Sequence, residues 1–114
     1  MEVSKPNESG VVDKDAHEVV ARHGRSYAAV NIALCEDRLY RYSTEMQYSY
    51  GGFSGPIWIE SDGYPTAAAA RTAGLEELLC RWYKPFPSDP QSAQDELRVL
   101  REQIEAQLKQ PSLF

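Results

Sequence analysis

The chain has few of the residues that build metal centres, disulfides and nucleophilic sites. Of its 114 residues, only two are cysteine and two are histidine. Cys35 and Cys80 form no CxxC pair, and no cluster of cysteines or carboxylates joins His17 and His23 at ligand spacing. Metal centres and disulfide frameworks need such clusters. The sequence therefore predicts no metal, no cofactor, reduced thiols, and histidines at the surface or at a helix end.

Catalytic constellations are equally scarce. Cys35 is followed by Glu36 and Asp37, whose negative charge disfavours a reactive thiolate. No serine lies in a G-x-S-x-G elbow. The glycines of residues 51–55 lead into Pro56 and a strand, whereas a phosphate cradle requires a following helix. We predict no catalytic residue, although an enzyme whose site the sequence does not reveal is left open.

Long apolar runs and an excess of positive charge are also missing. No run approaches the roughly 18 apolar residues of a membrane span. The opening MEVSKPNESG lacks the apolar core of a signal peptide. The net charge of −5 opposes contact with the phosphates of nucleic acid or with an anionic membrane. These features predict a cytoplasmic protein that binds neither membranes nor, directly, nucleic acid.

An alternating stretch from Arg38 to Tyr50 organises the predicted fold. Aromatic and apolar residues recur at every second position, and polar residues such as Arg41 and Glu45 fall between them. Side chains alternate across a strand, so one face would be apolar and the other exposed to water. The residues that we expect beneath a covering helix are Tyr40, Tyr42, Met46 and Tyr48.

The predicted fold class is α+β: a short N-terminal helix, a three-stranded antiparallel sheet covered by a helix, and a C-terminal helix. Residues 1–12 are polar and expected to be flexible. The α+β domain would occupy residues 13–84, and it begins with a helix capped by Asp13 or Asp15. That helix ends near His23; strands follow at Ser26–Cys35, Arg38–Tyr50 and Ile57–Ser61, and a second helix runs from Thr66 to about Tyr83.

The C-terminal part is predicted as a linker and a helix. Prolines mark the linker at residues 85–89, because proline disrupts a helix. Asp89 and Pro90 indicate a new helix start, and the helix extends over residues 90–109. Its narrow apolar stripe suits either a light dock on the domain or a homodimer through this helix. The stripe consists of Ala93, Leu97, Leu100, Ile104 and Leu108.

The last five residues carry the functional signal. They are Gln110, Pro111, Ser112, Leu113 and Phe114. This pentapeptide resembles the motif by which bacterial proteins bind the DNA-polymerase sliding clamp. The five positions of that motif are Gln; a variable residue, which is often Leu; either Ser or Asp; Leu; and Phe. Pro111 stands at the variable position. The resemblance implies a hydrophobic clamp pocket for Leu113 and Phe114, where each would contribute roughly 1.5–3 kcal/mol.

These observations lead to two functional hypotheses besides the unseen enzyme. The first is a non-enzymatic accessory or regulatory protein of bacterial, phage or plasmid DNA replication or repair, recruited to the sliding clamp. The second is a stand-alone binding module or antitoxin-like protein that acts through the face of its sheet.

Overall fold

The computed structural model describes residues 3–82 and 84–109. Within them the chain is α+β, with a four-stranded antiparallel sheet, a two-stranded sheet and two helices. The strands are β1 (Val11–Val12), β2 (Ala16–His23), β3 (Ser26–Leu34), β4 (Tyr40–Tyr48), β5 (Gly51–Ser54) and β6 (Ile57–Trp58), and the helices are α1 (Ala67–Cys80) and α2 (Gln91–Lys109). The larger sheet has the order β2-β3-β4-β5, and β1 pairs with β6.

The predicted N-terminal helix is wrong, because these residues form strand β2. The strand pairs antiparallel with β3, and the turn between them uses Gly24 in the left-handed region at φ 61°. The register shifts between Val19 and Ala21, so that Val20 and Ala21 are both buried. Such a bulge places neighbouring residues on one face and breaks the alternation of a strand. The resulting apolar spacing is what resembled a helix.

The predicted phase of the central strand is correct. Met46 and Tyr48 belong to the core beneath the helices. The hydroxyl groups of Tyr42 and Thr44 donate hydrogen bonds to Glu77 of α1, at 3.2 and 3.1 Å. Because side chains alternate along a strand, these contacts place the aromatic side of β4 against the helices.

The polar side of the sheet is more covered than we expected. The small β1–β6 sheet lies over one end of it, and together they bury Val12, Ala33, Cys35 and Ile57 in a second core. Arg41, predicted to face water, is buried as well. Strand β3 is therefore buried on both faces along most of its length.

The region after β4 also differs from the predicted third strand at Ile57–Ser61. Residues 51–54, which lie between the predicted strands Arg38–Tyr50 and Ile57–Ser61, instead form β5. A side chain at Gly52 would place its Cβ 2.2 Å from the carbonyl oxygen of Met46, so only glycine allows this close pairing. The predicted strand is reduced to β6, which pairs with β1 rather than with β4. The sheet thus has four strands instead of three.

Helix α1 begins as predicted. The side-chain oxygen of Thr66 accepts a hydrogen bond from the backbone nitrogen of Ala69, at 3.0 Å, and so caps the first turn. The helix ends at Cys80, three residues before the predicted end at Tyr83, which lies outside the described residues. Gly74 faces β3, where an added Cβ would lie 2.8 Å from Cγ1 of Val30. Small residues therefore let the helix lie close to the sheet.

Helix α2 shares the main core with the sheet. Its stripe residues Ala93, Leu97, Leu100 and Ile104 are buried in the cluster that contains Val30. Gln103 clamps the edge strand: its Oε1 accepts from the backbone nitrogen of Arg22, and its Nε2 donates to the carbonyl oxygen of the same residue. The apolar stripe of α2 is buried against the sheet of the same chain. This favours packing on the domain over a homodimer through this helix.

Candidate functional site

The residues predicted to bind the clamp, Gln110, Pro111, Ser112, Leu113 and Phe114, lie outside the described residues. The helix that leads to them is described up to Lys109. In its last turns Gln107 donates a hydrogen bond to the carbonyl oxygen of Val20 and accepts one from Arg71. Leu108 is partly buried, and Lys109 is exposed. Helix α2 is thus held on the sheet until it reaches the surface of the domain.

The structure adds a polar cluster that the sequence did not reveal. On the side of the sheet away from the helices, β2, β3 and β4 bring together the side chains that we call the Glu45 network. Its register follows from the strand pairing, which sets His17 opposite Asn31 and Asn31 opposite Ser43. The members of the network are His17, Tyr27, Asn31, Ser43 and Glu45.

Glu45 is the centre of this network. Its side chain is only 15% exposed, and its two oxygens accept from Tyr27 Oη at 2.8 Å and from Asn31 Nδ2 at 3.1 Å. His17 Nδ1 lies 2.6 Å from Asn31 Oδ1 and 3.3 Å from Glu45 Oε1, and Asn31 also donates to Ser43. A mostly buried carboxylate needs several donors, and here it has them.

The hydrogen bonds keep Glu45 ionised. Partial burial by itself raises the pKa of this carboxyl group, but the hydrogen bonds from Tyr27 and Asn31 outweigh it, so that the pKa lies below its ordinary value. The same hydrogen bond, followed by burial, raises the pKa of the Tyr27 hydroxyl. The network therefore presents a fixed negative charge and oriented donors at physiological pH.

A shallow cavity of about 360 Å³ opens beside the network. Its lining includes Lys14, Asn31, Glu45, Ser54 and Pro56. The side chain of His17 is 37% exposed, which leaves part of its ring accessible to a ligand. Every buried side-chain nitrogen and oxygen in the described part of the chain already has a hydrogen-bond partner. A ligand would therefore be recognised by the accessible groups of the network, through hydrogen bonds and charge.

Sequence reasoning missed this cluster for a specific reason. It placed His17 on a helix, so its pairing with Asn31 was not visible. Glu45 was assigned to the face exposed to water, because alternation alone does not show which neighbours surround a side chain. The predicted strand phase of Ser43 and Glu45 was correct. The signal that could have revealed the cluster was the strand character of residues 16–23, because it places His17 opposite Asn31.

The two cysteines lie in different parts of the fold. Both cysteines are free, with Cys35 buried in the second core and Cys80 exposed at the end of α1. Residues 3–82 and 84–109 contain no group of three or more histidine, cysteine or acidic side chains placed to hold a metal ion.

Neither α1 nor α2 is long and apolar enough to cross a membrane.

The chain was also compared with known proteins. No protein-family model, curated protein or solved structure matches it.

Proposed function

We propose that this chain is a non-enzymatic accessory or regulatory protein of bacterial, phage or plasmid DNA replication or repair, recruited to the sliding clamp by residues 110–114. The observation that carries the proposal is the pentapeptide Gln-Pro-Ser-Leu-Phe. Gln110 offers an amide to orient the peptide, and Leu113 and Phe114 supply the apolar surface. Pro111 restricts the backbone, which lowers the ordering cost of binding.

The end of helix α2 supports this proposal. A linear motif must be reachable by its partner, and the motif follows directly on Lys109, which is exposed. The preceding turns are fixed by the hydrogen bond from Gln107 to Val20 and by the burial of Ile104. A fixed helix that ends at the surface offers a defined starting point for the peptide.

Four of the eight arginine residues support the absence of direct contact with nucleic acid. Arg41 forms an ion pair with Asp37 at 2.8 Å and is buried, and Arg71 forms one with Glu18 at 2.8 Å. On α2, Arg98 and Arg101 also lie within 4 Å of carboxylates. These arginines are neutralised locally and are poorly placed to displace phosphate counterions. A protein tethered to a ring on DNA needs no basic surface of its own.

Calorimetry against a purified sliding clamp tests the proposal. Two buried side chains and a few hydrogen bonds, reduced by the ordering cost, correspond to a Kd of about 1 μM, or about −8 kcal/mol. We expect the double substitution Leu113→Ala and Phe114→Ala to remove most of this binding. The matched control is a chain in which the same five residues are reordered, because it keeps length and composition but not the motif.

Melting curves of the same proteins, read together with the binding data, show whether residues 113 and 114 belong to the core. If the intact chain binds no clamp and the double substitution lowers the melting temperature sharply, residues 113 and 114 are part of the core and the proposal is refuted. Equal clamp binding by the intact and reordered chains would show contact outside the motif, which also refutes it.

The Glu45 network favours the second candidate, a stand-alone binding module or antitoxin-like protein that acts through the sheet face. A face with a largely buried, ionised carboxylate and a partly accessible histidine is suited to a partner that supplies complementary charge and hydrogen-bond donors. This candidate leaves the pentapeptide without a necessary role.

The second candidate is tested by co-expressing the chain with the product of a neighbouring gene. A complex that persists without residues 110–114 and is lost with His17→Ala would support it. The matched control is His23→Ala, because His23 is the other exposed histidine of β2 and lies outside the network. A complex that is lost equally with both histidine substitutions would argue against recognition by the network.

A further inference from the structure

A groove opens where strand β4 lacks a second neighbour. β4 pairs with β5 from Glu45 to Tyr48, and Tyr40 forms a bridge with Tyr64. Between these points no described residue pairs with residues 42–44 on that edge. The groove at this gap has a volume of about 520 Å³, and helix α1 forms its other side. We call it the Trp58 groove after the most exposed of its four aromatic residues, Tyr42, Phe53, Trp58 and Tyr64.

The aromatic residues supply the apolar part of a groove whose remaining lining is polar. Trp58 is 48% exposed, and Phe53, Tyr42 and Tyr64 are partly exposed. The rings of Tyr42 and Tyr64 lie 6.0 Å apart and are tilted by 46°. Single exposed aromatic residues are common, but four around one concave surface are typical of a binding site.

The charged residues of the groove are mainly acidic. Glu60, Asp62 and Glu77 line it, against the single cation Arg81. Glu77 already accepts hydrogen bonds from Tyr42 and Thr44 and lies 4.0 Å from Arg81. Glu60 and Asp62 are exposed, and neither side chain forms a hydrogen bond or an ion pair with residues 3–82 or 84–109. The groove therefore has two carboxylates available to an incoming positive charge.

Tyr42 stays neutral beside these carboxylates. Burial, followed by the charge of Glu77, raises the pKa of its hydroxyl above the ordinary value. The ring therefore contributes an electron-rich face that attracts a cation, while its hydroxyl keeps the proton that it donates to Glu77.

The loop that carries the carboxylates is held in place from behind. The backbone nitrogen and the hydroxyl of Ser61 both donate to the carbonyl oxygen of Trp58, at 3.0 and 2.6 Å, which closes the turn of residues 58–61. Arg41 Nε donates to the carbonyl oxygen of Ser61 at 2.9 Å, while its other nitrogens hold Asp37. A loop that is already ordered loses less conformational entropy when a ligand binds.

We propose that the Trp58 groove binds an arginine side chain from a basic peptide segment of a protein partner. The guanidinium would stack on the exposed ring of Trp58, and Glu60 and Asp62 would accept its hydrogen bonds. Arginine is favoured over lysine because its planar group both stacks on aromatic rings and donates in pairs to carboxylates. Nucleic acid also stacks on aromatic residues, but the acidic rim repels its phosphates. This inference does not depend on binding to the sliding clamp.

A nuclear magnetic resonance titration with a defined peptide tests the inference. The probe is the blocked peptide Gly-Arg-Gly-Arg-Gly, and its matched control contains citrulline, which has the shape of arginine without the charge. We expect the arginine peptide to shift the indole signal of Trp58 and the amide signals of residues 60–62. Trp82, packed against the core, is an internal reference whose indole should not move.

Substitutions in the groove provide the quantitative test. Trp58→Ala, or Glu60→Gln combined with Asp62→Asn, should weaken the arginine peptide by about 10-fold, because each removes one part of the cation site. The control is Glu8→Gln combined with Glu36→Gln, which removes the same charge at two exposed positions elsewhere. Melting temperatures of all variants identify any that fail to fold.

Three outcomes would overturn the inference. The first is an equal response to the citrulline peptide, and the second is an equal loss of affinity in the Glu8 and Glu36 control. The third is a titration in which the arginine peptide leaves the indole signal of Trp58 unmoved. This holds whether or not an oligothymidine, as the nucleic-acid probe, shifts that signal.

Discussion

Replacing Gly74 with alanine tests how closely helix α1 lies on the sheet. An added Cβ would lie 2.8 Å and 3.1 Å from the two methyl carbons of Val30, and 3.4 Å from a ring carbon of Tyr42. The first distance is shorter than any ordinary contact between carbon atoms, so the helix or Val30 must move. Alanine would also favour the helix itself, so two opposite effects compete.

The magnitudes decide the sign. Alanine in place of glycine inside a helix stabilises by about 1 kcal/mol. Overpacking a filled core costs about 1–3 kcal/mol, and the cost at Gly74 should be near the middle of that range because Val30 is fully buried. We therefore expect Gly74→Ala to lower the free energy of unfolding by about 1 kcal/mol, and the melting temperature by about 4 °C.

A double-mutant cycle isolates the contact. Val30→Ala removes the two methyl groups and should itself cost about 2–3 kcal/mol. In that background Gly74→Ala should become stabilising by about 1 kcal/mol, since the helix preference remains and the clash is gone. Urea unfolding followed by circular dichroism measures all four proteins. Thr72→Ala, on the exposed side of α1, is the control for helix preference and should stabilise by about 0.5 kcal/mol.

The reasoning fails if Gly74→Ala stabilises the unchanged chain as much as it stabilises the chain that carries Val30→Ala. That result would mean that the helix adjusts without cost and that the close approach is not needed for the fold.

Two further predictions concern the C-terminal helix and acid stability. Leu100 is fully buried in the main core, so Leu100→Ala should lower the free energy of unfolding in urea by about 2–5 kcal/mol; a loss below about 1 kcal/mol would mean that α2 is only loosely docked. The hydrogen bonds from Arg41 lower the pKa of Asp37 from 3.8 to about 2. The ionised Asp37 carboxylate therefore contributes its full stabilisation of the folded chain above pH 3.8, and this contribution is lost as the pH falls through about 2. The urea midpoint should therefore fall less steeply across this interval in Asp37→Asn than in the unchanged chain, and identical slopes would contradict the assignment.

Local sequence patterns determined much of the fold class and several boundaries. The alternation of residues 40–48 identified the central strand and the side of it that packs against the helices, because only a strand places every second residue on one face. Thr66 marked the start of α1, since its side chain caps an amide of the first turn. The narrow stripe of α2 identified which of its residues are buried. Each of these features depends on residues close together in the chain.

Only the tertiary structure decided how distant segments meet. The bulge at Val20 gave β2 a helix-like spacing, and pairing with β3 is what makes it a strand. The Glu45 network joins residues of three strands, and the Trp58 groove joins the loop of residues 58–62 to Glu77 of α1. Such contacts depend on strand register and helix docking, which arise from long-range burial rather than from local preference. For this reason the pentapeptide could be recognised directly in the sequence, whereas the Glu45 network and the Trp58 groove became visible only in the folded chain.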